Sequence, residues 1–197
     1  MLESIIPPLA DIIEKLGYIG IFILMTLESA AIPIPSEIVV TFAGFLAGLN
    51  RLDFKYVIIF STLANLTGSY ILYLIGSKIE RKSILRIGKY ILLDENHLEF
   101  VEDLFNKYGG LIVFIGRLMP GVRTYISLPA GFSRMPITPF ISLTLLGSLI
   151  WNFILAYIGY ILGCNWIYVV KYIDYIAIAV LIILIIILSV YYRRWRI

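Results

Sequence analysis

The sequence contains one cysteine, Cys164, and one histidine, His97, among its 197 residues. A single cysteine excludes a disulfide within the chain and a cysteine-based metal site, and a single histidine excludes any mechanism that needs two. No metal site, cofactor site or catalytic residue is therefore predicted. A membrane enzyme such as a lipid phosphatase is disfavoured because His97 stands alone. The basic residues form no dense stripe, which argues against nucleic acid as a partner.

Charged residues are also scarce: they make up 15% of the chain, against 60% hydrophobic residues, and the mean hydropathy is +0.94. The run 175–190 contains neither a charge nor a helix breaker. With its flanks it reaches the roughly 20 residues that cross a bilayer core of about 30 Å. We therefore predict an all-α integral membrane protein.

Three apolar segments are long enough to span the membrane, at 54–76, 137–163 and 173–192. The third is followed by a basic tail at 193–197, which contains Trp195 and three arginines. Loops rich in Lys and Arg stay in the cytoplasm, so this tail and the loop with helices at 77–108 are both predicted to be cytoplasmic. Residues 1–16 are too polar to span, and their spacing of apolar residues predicts an amphipathic helix on the membrane surface.

Two further apolar segments, 17–49 and 110–134, are interrupted in the middle. Pro33 and Pro35 break the first segment, and Pro120 with Gly121 breaks the second. Two prolines two residues apart forbid a continuous helix, and the half-segments are too short to span. We predict two re-entrant helical hairpins, whose irregular backbone must be covered by protein or water.

Short motifs recur in the two halves of the chain. An Ala-Gly-Phe triplet follows each proline break, at 43–45 and 130–132, and a related apolar hexapeptide closes each of the first two spans, at 71–76 and 154–159. Each half is thus predicted as a hairpin followed by a span, and the predicted topology inverts one half relative to the other. The third span is an extra C-terminal helix. Inverted repeats with broken helices are a transporter architecture.

Four charged residues lie inside the predicted hairpins: Glu28 and Glu37 in the first, Arg117 and Arg123 in the second. An ionised side chain at mid-bilayer costs roughly 2.5–3.5 kcal/mol, so each needs a partner, water or a ligand. One interpretation is that the acids and arginines pair and only fasten the hairpins together. The other is a polar cavity, in which the arginines bind an anionic group such as phosphate and the glutamates bind protons or compete for the arginines.

Three polar or amphipathic residues within the spans also allow both a structural and a functional interpretation. Asn65, Trp151 and Asn152 are candidates for the wall of such a cavity, although each is also typical of helix packing. The same kinds of residue would suit the face of a homodimer.

At these positions the sequence resembles the DedA family, also called the SNARE-associated or VTT-domain family, over about 15–165. The resemblance rests on Glu28, on Pro-x-Pro-Ser-Glu at 33–37 and on Gly-Arg-x-x-Pro-Gly-x-Arg-Thr at 116–124. Further matching positions are Gly44, Gly68, Tyr73, Gly76, Ala130, Gly131, Met135, Phe140, Gly147, Trp151 and Gly159.

Bacterial members of that family are described as transporters that recycle undecaprenyl phosphate for the cell wall, and some are linked to proton motive force; eukaryotic relatives are lipid scramblases. The resemblance implies that Glu28 and Glu37 are the functional acids and that Arg117 and Arg123 are the functional arginines. It predicts a flippase for polyprenyl phosphate in the cytoplasmic membrane of a bacterium or archaeon. A proton-coupled ion or small-solute antiporter, a non-selective phospholipid scramblase and a scaffold remain as alternatives.

Overall fold

Helices form every regular element in residues 2–79, 103–105 and 107–163, which are the residues that the computed structural model describes. The main helices are α1 (Leu2–Leu16), α2 (Tyr18–Ser29), α3 (Ser36–Gly48), α4 (Phe54–Lys78), α5 (Gly110–Arg117), α6 (Val122–Tyr125), α7 (Ser127–Phe132) and α8 (Ile137–Leu162). The predicted all-α fold is confirmed for these residues. The predicted span 173–192, the tail 193–197 and most of the loop 77–108 lie outside them.

Two long helices, α4 and α8, lie at the centre of the structure. They have 25 and 26 residues, so each is about 37–39 Å long, which exceeds the roughly 30 Å of a bilayer core. Asp53 begins α4 because its carboxylate accepts a hydrogen bond from the backbone N–H of Lys55 at 2.8 Å, which satisfies a free helix donor. Both helices are long and apolar enough to cross a membrane, as the predicted spans 54–76 and 137–163 require.

The first broken segment consists of α2 and α3, which have 12 and 13 residues. Helix α2 ends where Ala31 adopts the left-handed conformation, with φ of 72°. Pro33 and Pro35 follow, and neither has the N–H that a continuing helix needs. Helix α3 then begins at Ser36, so the apolar run is interrupted at the predicted breakers.

The second broken segment consists of α5, α6 and α7. Helix α5 ends at Arg117, and Gly121 turns the chain with φ of 75°, a conformation that glycine adopts without steric strain. Only Ile126 separates α6 from α7, and its φ of −58° and ψ of −22° are helical. Residues 122–132 are therefore helical throughout and form the second arm of this segment.

Helix α1 packs beside the first broken segment. Leu9 and Ile13 on one face are buried in a cluster with α2 and α3. Asp11 and Lys15 lie on another face and form an exposed ion pair at 2.7 Å. An apolar face and a charged face are what an amphipathic helix requires; its location on the membrane surface stays a prediction.

Close helix packing places the two breaks side by side. Each broken segment has one arm on α4 and the other on α8: α2 and α7 pack on α4, while α3 and α5 pack on α8. Four glycines permit these approaches, because a Cβ at Gly44, Gly68, Gly131 or Gly147 would collide with the facing arm or helix. The linkers between the arms consequently meet near the middle of α4 and α8.

Candidate functional site

An ion pair joins the two broken segments at this meeting point. Glu28 lies in the last turn of α2, and Arg123 lies in α6 just after the second break. The Arg123 guanidinium donates to the Glu28 Oε1 atom at 2.8 Å, and the two side chains are only 6% and 5% exposed. Of the four predicted charges, these two form the direct contact between the segments.

The two carboxylate oxygens of Glu28 contact different sets of donors. Oε1 accepts hydrogen bonds from Arg123 and from the Thr124 hydroxyl, the latter at 3.0 Å. Oε2 accepts from the Ser29 hydroxyl at 2.9 Å and from the Asn65 side-chain amide at 3.2 Å. Four donors therefore hold the two oxygen atoms of this carboxylate.

A chain of amides continues from this carboxylate into the long helices. Asn65 on α4 accepts a hydrogen bond at 2.8 Å from Asn152 on α8, and Asn152 also donates to the Thr62 hydroxyl at 3.2 Å. Trp151 lies on the other side of the ion pair, with its ring centroid 5.2 Å from the Arg123 guanidinium carbon, a cation–π distance. The three residues predicted for the cavity wall thus lie beside the ion pair.

Arg117 lies deeper than Arg123 and has different partners. It donates to the backbone carbonyl of Arg123 at 2.8 Å and to the Ser127 hydroxyl, while its Nε atom has no acceptor within the described residues. It is 2% exposed. The small enclosed space that it shares with Glu28, Ser148 and Arg123 has no room for a water molecule. Arg117 therefore holds the backbone of Arg123 in place, two residues after the turn at Gly121.

A larger cavity of about 280 Å³ opens on the other side of Glu28 and Arg123. The two linkers form its walls, and the lining residues are Glu28, Ile32, Pro33, Ile34, Pro35, Glu37, Gly121, Arg123, Thr124 and Tyr125. Glu37, in the first turn of α3, is partly exposed there and has no ion pair or hydrogen bond to the described residues. The cavity thus combines a paired carboxylate, a free carboxylate, one guanidinium and a hydroxyl, with apolar groups around them.

The structure therefore places some of the predicted site residues at the large cavity and others away from it. Glu28, Glu37 and Arg123 line the large cavity, as do the breakers Pro33, Pro35 and Gly121. The fourth breaker, Pro120, does not line it, and neither do Arg117, Asn65, Trp151 and Asn152. Two serines were not recognised from the sequence: Ser29 donates to Glu28, and Ser127 accepts from Arg117. The position of Ser29 next to Glu28 in the chain was the one available signal. The described residues contain no cluster of ligands for a metal ion.

Comparison with known proteins gives a consistent result. Residues 34–161 match the VTT domain. The chain is 38% identical over 155 residues to "Undecaprenyl phosphate transporter A" of Staphylococcus aureus, which covers 77% of this chain and 76% of the relative. Identity to the Bacillus subtilis protein of the same name is 34% over 163 residues, with 83% and 80% covered. Identity to an "Alkaline phosphatase-like protein" of Lactococcus lactis is 36% over 161 residues, with 79% and 75% covered.

No solved structure matches the chain. The transporter names of the Staphylococcus and Bacillus relatives agree with the prediction of a transporter rather than an enzyme. The domain match covers more than half of the chain, and the resembling motifs at 33–37 and 116–124 both contribute residues to the large cavity. The chain therefore belongs to the VTT-domain family of membrane proteins, which is also called the DedA family.

Proposed function

We propose that the protein moves polyprenyl phosphate, of which undecaprenyl phosphate is the example named for its relatives, from the outer to the cytoplasmic leaflet for reuse in envelope synthesis. The observation that carries this proposal is Arg123, a buried guanidinium that lines a cavity between two broken helical segments. Arginine suits phosphate because its planar group can donate two parallel hydrogen bonds. Two of the relatives are named for the same lipid.

The size of the cavity supports a site for the head group alone. Its volume of about 280 Å³ lies near the lower end of the roughly 300–1,000 Å³ that small-molecule pockets occupy. A long polyprenyl chain needs far more space. The isoprenoid chain would remain in the lipid, beside exposed apolar residues such as Ile32, Val122 and Tyr125, while the phosphate passes between the linkers.

The proposed membrane arrangement has α2–α3 (17–49) and α5–α7 (110–134) as re-entrant hairpins that enter from opposite sides, with α4 and α8 as complete spans. Support comes from the lengths of the helices, since the short ones are 13 residues or fewer and the long ones are 25 and 26. Further support comes from the packing, because each broken segment places one arm on α4 and the other on α8. A cytoplasmic loop at 77–108 and a cytoplasmic C-terminus belong to the same proposal.

Glu37 favours a second candidate, in which transport is coupled to protons or the same site serves a proton-coupled ion or small-solute antiporter. A carboxylate that lines a cavity and has no ion pair or hydrogen bond to the described residues is the kind of group that marks proton pathways in membrane proteins. The two candidates differ in whether a lipid phosphate is required. A non-selective scramblase differs from both in moving other phospholipids at a similar rate.

The decisive experiment measures the movement of undecaprenyl phosphate in proteoliposomes. We expect wild type to move this lipid faster than phosphatidylglycerol, and Arg123→Ala to reduce the rate to that of empty liposomes. Arg51→Ala is the matched control, because Arg51 is an exposed arginine outside the site, with a side chain 65% exposed. Size-exclusion chromatography and thermal melting would verify that both variants fold.

Three outcomes would overturn the proposal in different ways. A folded Arg123→Ala protein that transports at the wild-type rate would remove the assigned role of the arginine. Equal rates for undecaprenyl phosphate and phosphatidylglycerol would indicate a scramblase. A wild-type protein that moves no lipid but responds to a pH gradient would indicate the antiporter.

A further inference from the structure

The donors that face the large cavity are already occupied by a side chain of the protein. Arg123 and Thr124 both line the cavity, and both donate to a single atom, Glu28 Oε1. A phosphate oxygen that entered the cavity would need the same guanidinium and the same hydroxyl. A carboxylate oxygen and a phosphate oxygen are equivalent acceptors for such donors.

The second oxygen of Glu28 is held from the opposite side. Oε2 contacts Ser29 on its own helix and Asn65 on α4, and Asn65 is itself fixed by Asn152 on α8. Neither Asn65 nor Ser29 lines the large cavity. Glu28 can consequently lose its contact with Arg123 and Thr124 and still keep two hydrogen bonds, so its release leaves no carboxylate without a partner.

We propose that Glu28 is an internal competitor of the transported anion: its Oε1 atom occupies the anion site at Arg123 and Thr124 when no substrate is bound, and it reclaims them to expel the phosphate. This inference rests on the proposed function and assigns a specific step to one residue. The substrate displaces Oε1, binds the two donors and leaves when the carboxylate returns. Competition of this kind lowers affinity but accelerates release.

The key variant is Glu28→Gln, which keeps the size of the side chain and removes its charge. Because one charge-assisted hydrogen bond is worth about 1.5–3 kcal/mol, the concentration of undecaprenyl phosphate at half-saturation should fall about ten- to a hundredfold. The maximum transport rate should fall as well, since the bound phosphate is no longer expelled. A residue with only a structural role would not lower both quantities together.

Binding can be followed through Trp151, whose ring lies against Arg123. The chain has three tryptophans, so a background with Trp166→Phe and Trp195→Phe leaves Trp151 as the only indole. In lipid nanodiscs, undecaprenyl phosphate should change its fluorescence with saturation. Arg123→Gln in the same background should abolish the saturable change.

Glu14→Gln is the matched control, because it also removes a negative charge that is paired with an arginine, Arg51 at 3.8 Å, but at an exposed position outside the cavity. We expect its half-saturation to change by less than about threefold, as a partly screened charge should. A tightening as large as that of Glu28→Gln would overturn the inference in favour of general electrostatic attraction. Glu28→Asp is the substitute if Glu28→Gln does not fold; its shorter side chain should tighten binding by a smaller factor, and unchanged affinity would overturn the inference.

The outcomes separate this inference from the proposed function. No saturable fluorescence change and no lipid movement by the Trp151-only protein would overturn the proposed function. Saturable binding and transport by that protein, with unchanged or weaker binding by Glu28→Gln, would overturn only the role of Glu28 as competitor.

Discussion

The two halves of the molecule share a packing scheme and differ in the charges at their breaks. In the first half α3 packs on α8, where Gly44 faces Ala156 and Gly159 faces Thr41. In the second half α7 packs on α4, where Gly131 faces Tyr73 and Gly76 faces Leu128.

These contacts involve equivalent positions of the recurring motifs. Gly44 and Gly131 are the middle residues of the two Ala-Gly-Phe triplets, and Tyr73 and Ala156 are the third residues of the two hexapeptides. Each triplet therefore contacts the hexapeptide of the other half. This reciprocity is a property of the packing; the inverted repeat and its orientation in the membrane both stay predictions.

The breaks themselves differ in charge. The first contributes carboxylates, Glu28 and Glu37, around two prolines, whereas the second contributes guanidiniums, Arg117 and Arg123, around Pro120 and Gly121. Both halves therefore need small residues at their helix contacts, since any added volume there meets backbone atoms of the facing helix. The helix ends beside the breaks carry opposite charges, and two of these meet in the ion pair of Glu28 and Arg123.

The largest effect should follow from filling the equivalent helix contacts. Gly44→Ala and Gly131→Ala each place a methyl group against backbone atoms of the opposite half. Overpacking of this kind costs about 1–3 kcal/mol, and here we expect the upper end, although alanine favours a helix over glycine by about 1 kcal/mol. Thermal melting in detergent should show two similar losses.

Gly48→Ala provides the graded control for this prediction. It lies one turn after Gly44 on the same helix, and its methyl group would lie 2.9 Å from the nearest carbonyl oxygen, so a smaller loss is expected. If Gly44→Ala is destabilised and Gly131→Ala is not, the two contacts are not equivalent and the comparison between the halves fails.

An intermediate loss of stability should follow from replacing the buried asparagines of the two long helices, with a larger loss at Asn65 on α4 than at Asn152 on α8. Asn65→Leu removes three hydrogen bonds, to Glu28 Oε2, to Ser29 and from Asn152, and we expect a loss of about 2–3 kcal/mol because one of them is to a charged group. Asn152→Leu removes two hydrogen bonds between neutral groups and leaves the Asn65 Oδ1 atom without a donor among the described residues, so we expect a smaller loss of about 1–2 kcal/mol. Denaturation of both variants in one detergent measures the difference, and a larger loss for Asn152→Leu would contradict it.

The smallest effect should appear at the two breaks, where the chain turns with positive φ at Ala31 and at Gly121. Gly121→Ala should destabilise by about 1 kcal/mol, because a Cβ is unfavourable in the left-handed conformation. Ala31→Gly should stabilise by about 0.5 kcal/mol, because it removes that strain at a cost in chain entropy. The two variants are expected to shift the melting temperature in opposite directions, and shifts of the same sign would refute the strain argument.

Much of the fold was predictable from local sequence. The uninterrupted apolar runs at 54–76 and 137–163 correspond to α4 and α8, and the breakers Pro33, Pro35 and Gly121 correspond to the gaps between short helices. These features depend on local constraints, the missing N–H of proline and the allowed φ of glycine, which operate wherever the residue lies. The four charges were also recognisable, because charge in an apolar segment is unfavourable without a partner.

The pairing of those charges was not predictable. Nothing local distinguishes Glu28 from Glu37, yet the first is held by four donors and the second has no partner within the described residues. Arg117 and Arg123 look equivalent in the motif at 116–124, but only Arg123 reaches the large cavity. Each difference depends on which helix faces the side chain, and that is set by contacts between residues far apart in the chain.

The sequence by itself determined the helical class, the positions of the breaks, the family and the set of charged residues, because periodicity, composition and backbone chemistry act over a few neighbouring residues. Tertiary structure alone decided that Glu28 meets Arg123, that Arg117 supports the backbone of Arg123, and that Glu37 faces an open cavity. Those outcomes follow from the close approach of α2 and α7 to α4 and of α3 and α5 to α8, which brings Glu28 on α2 within hydrogen-bonding distance of Arg123 on α6, 95 positions away in the chain.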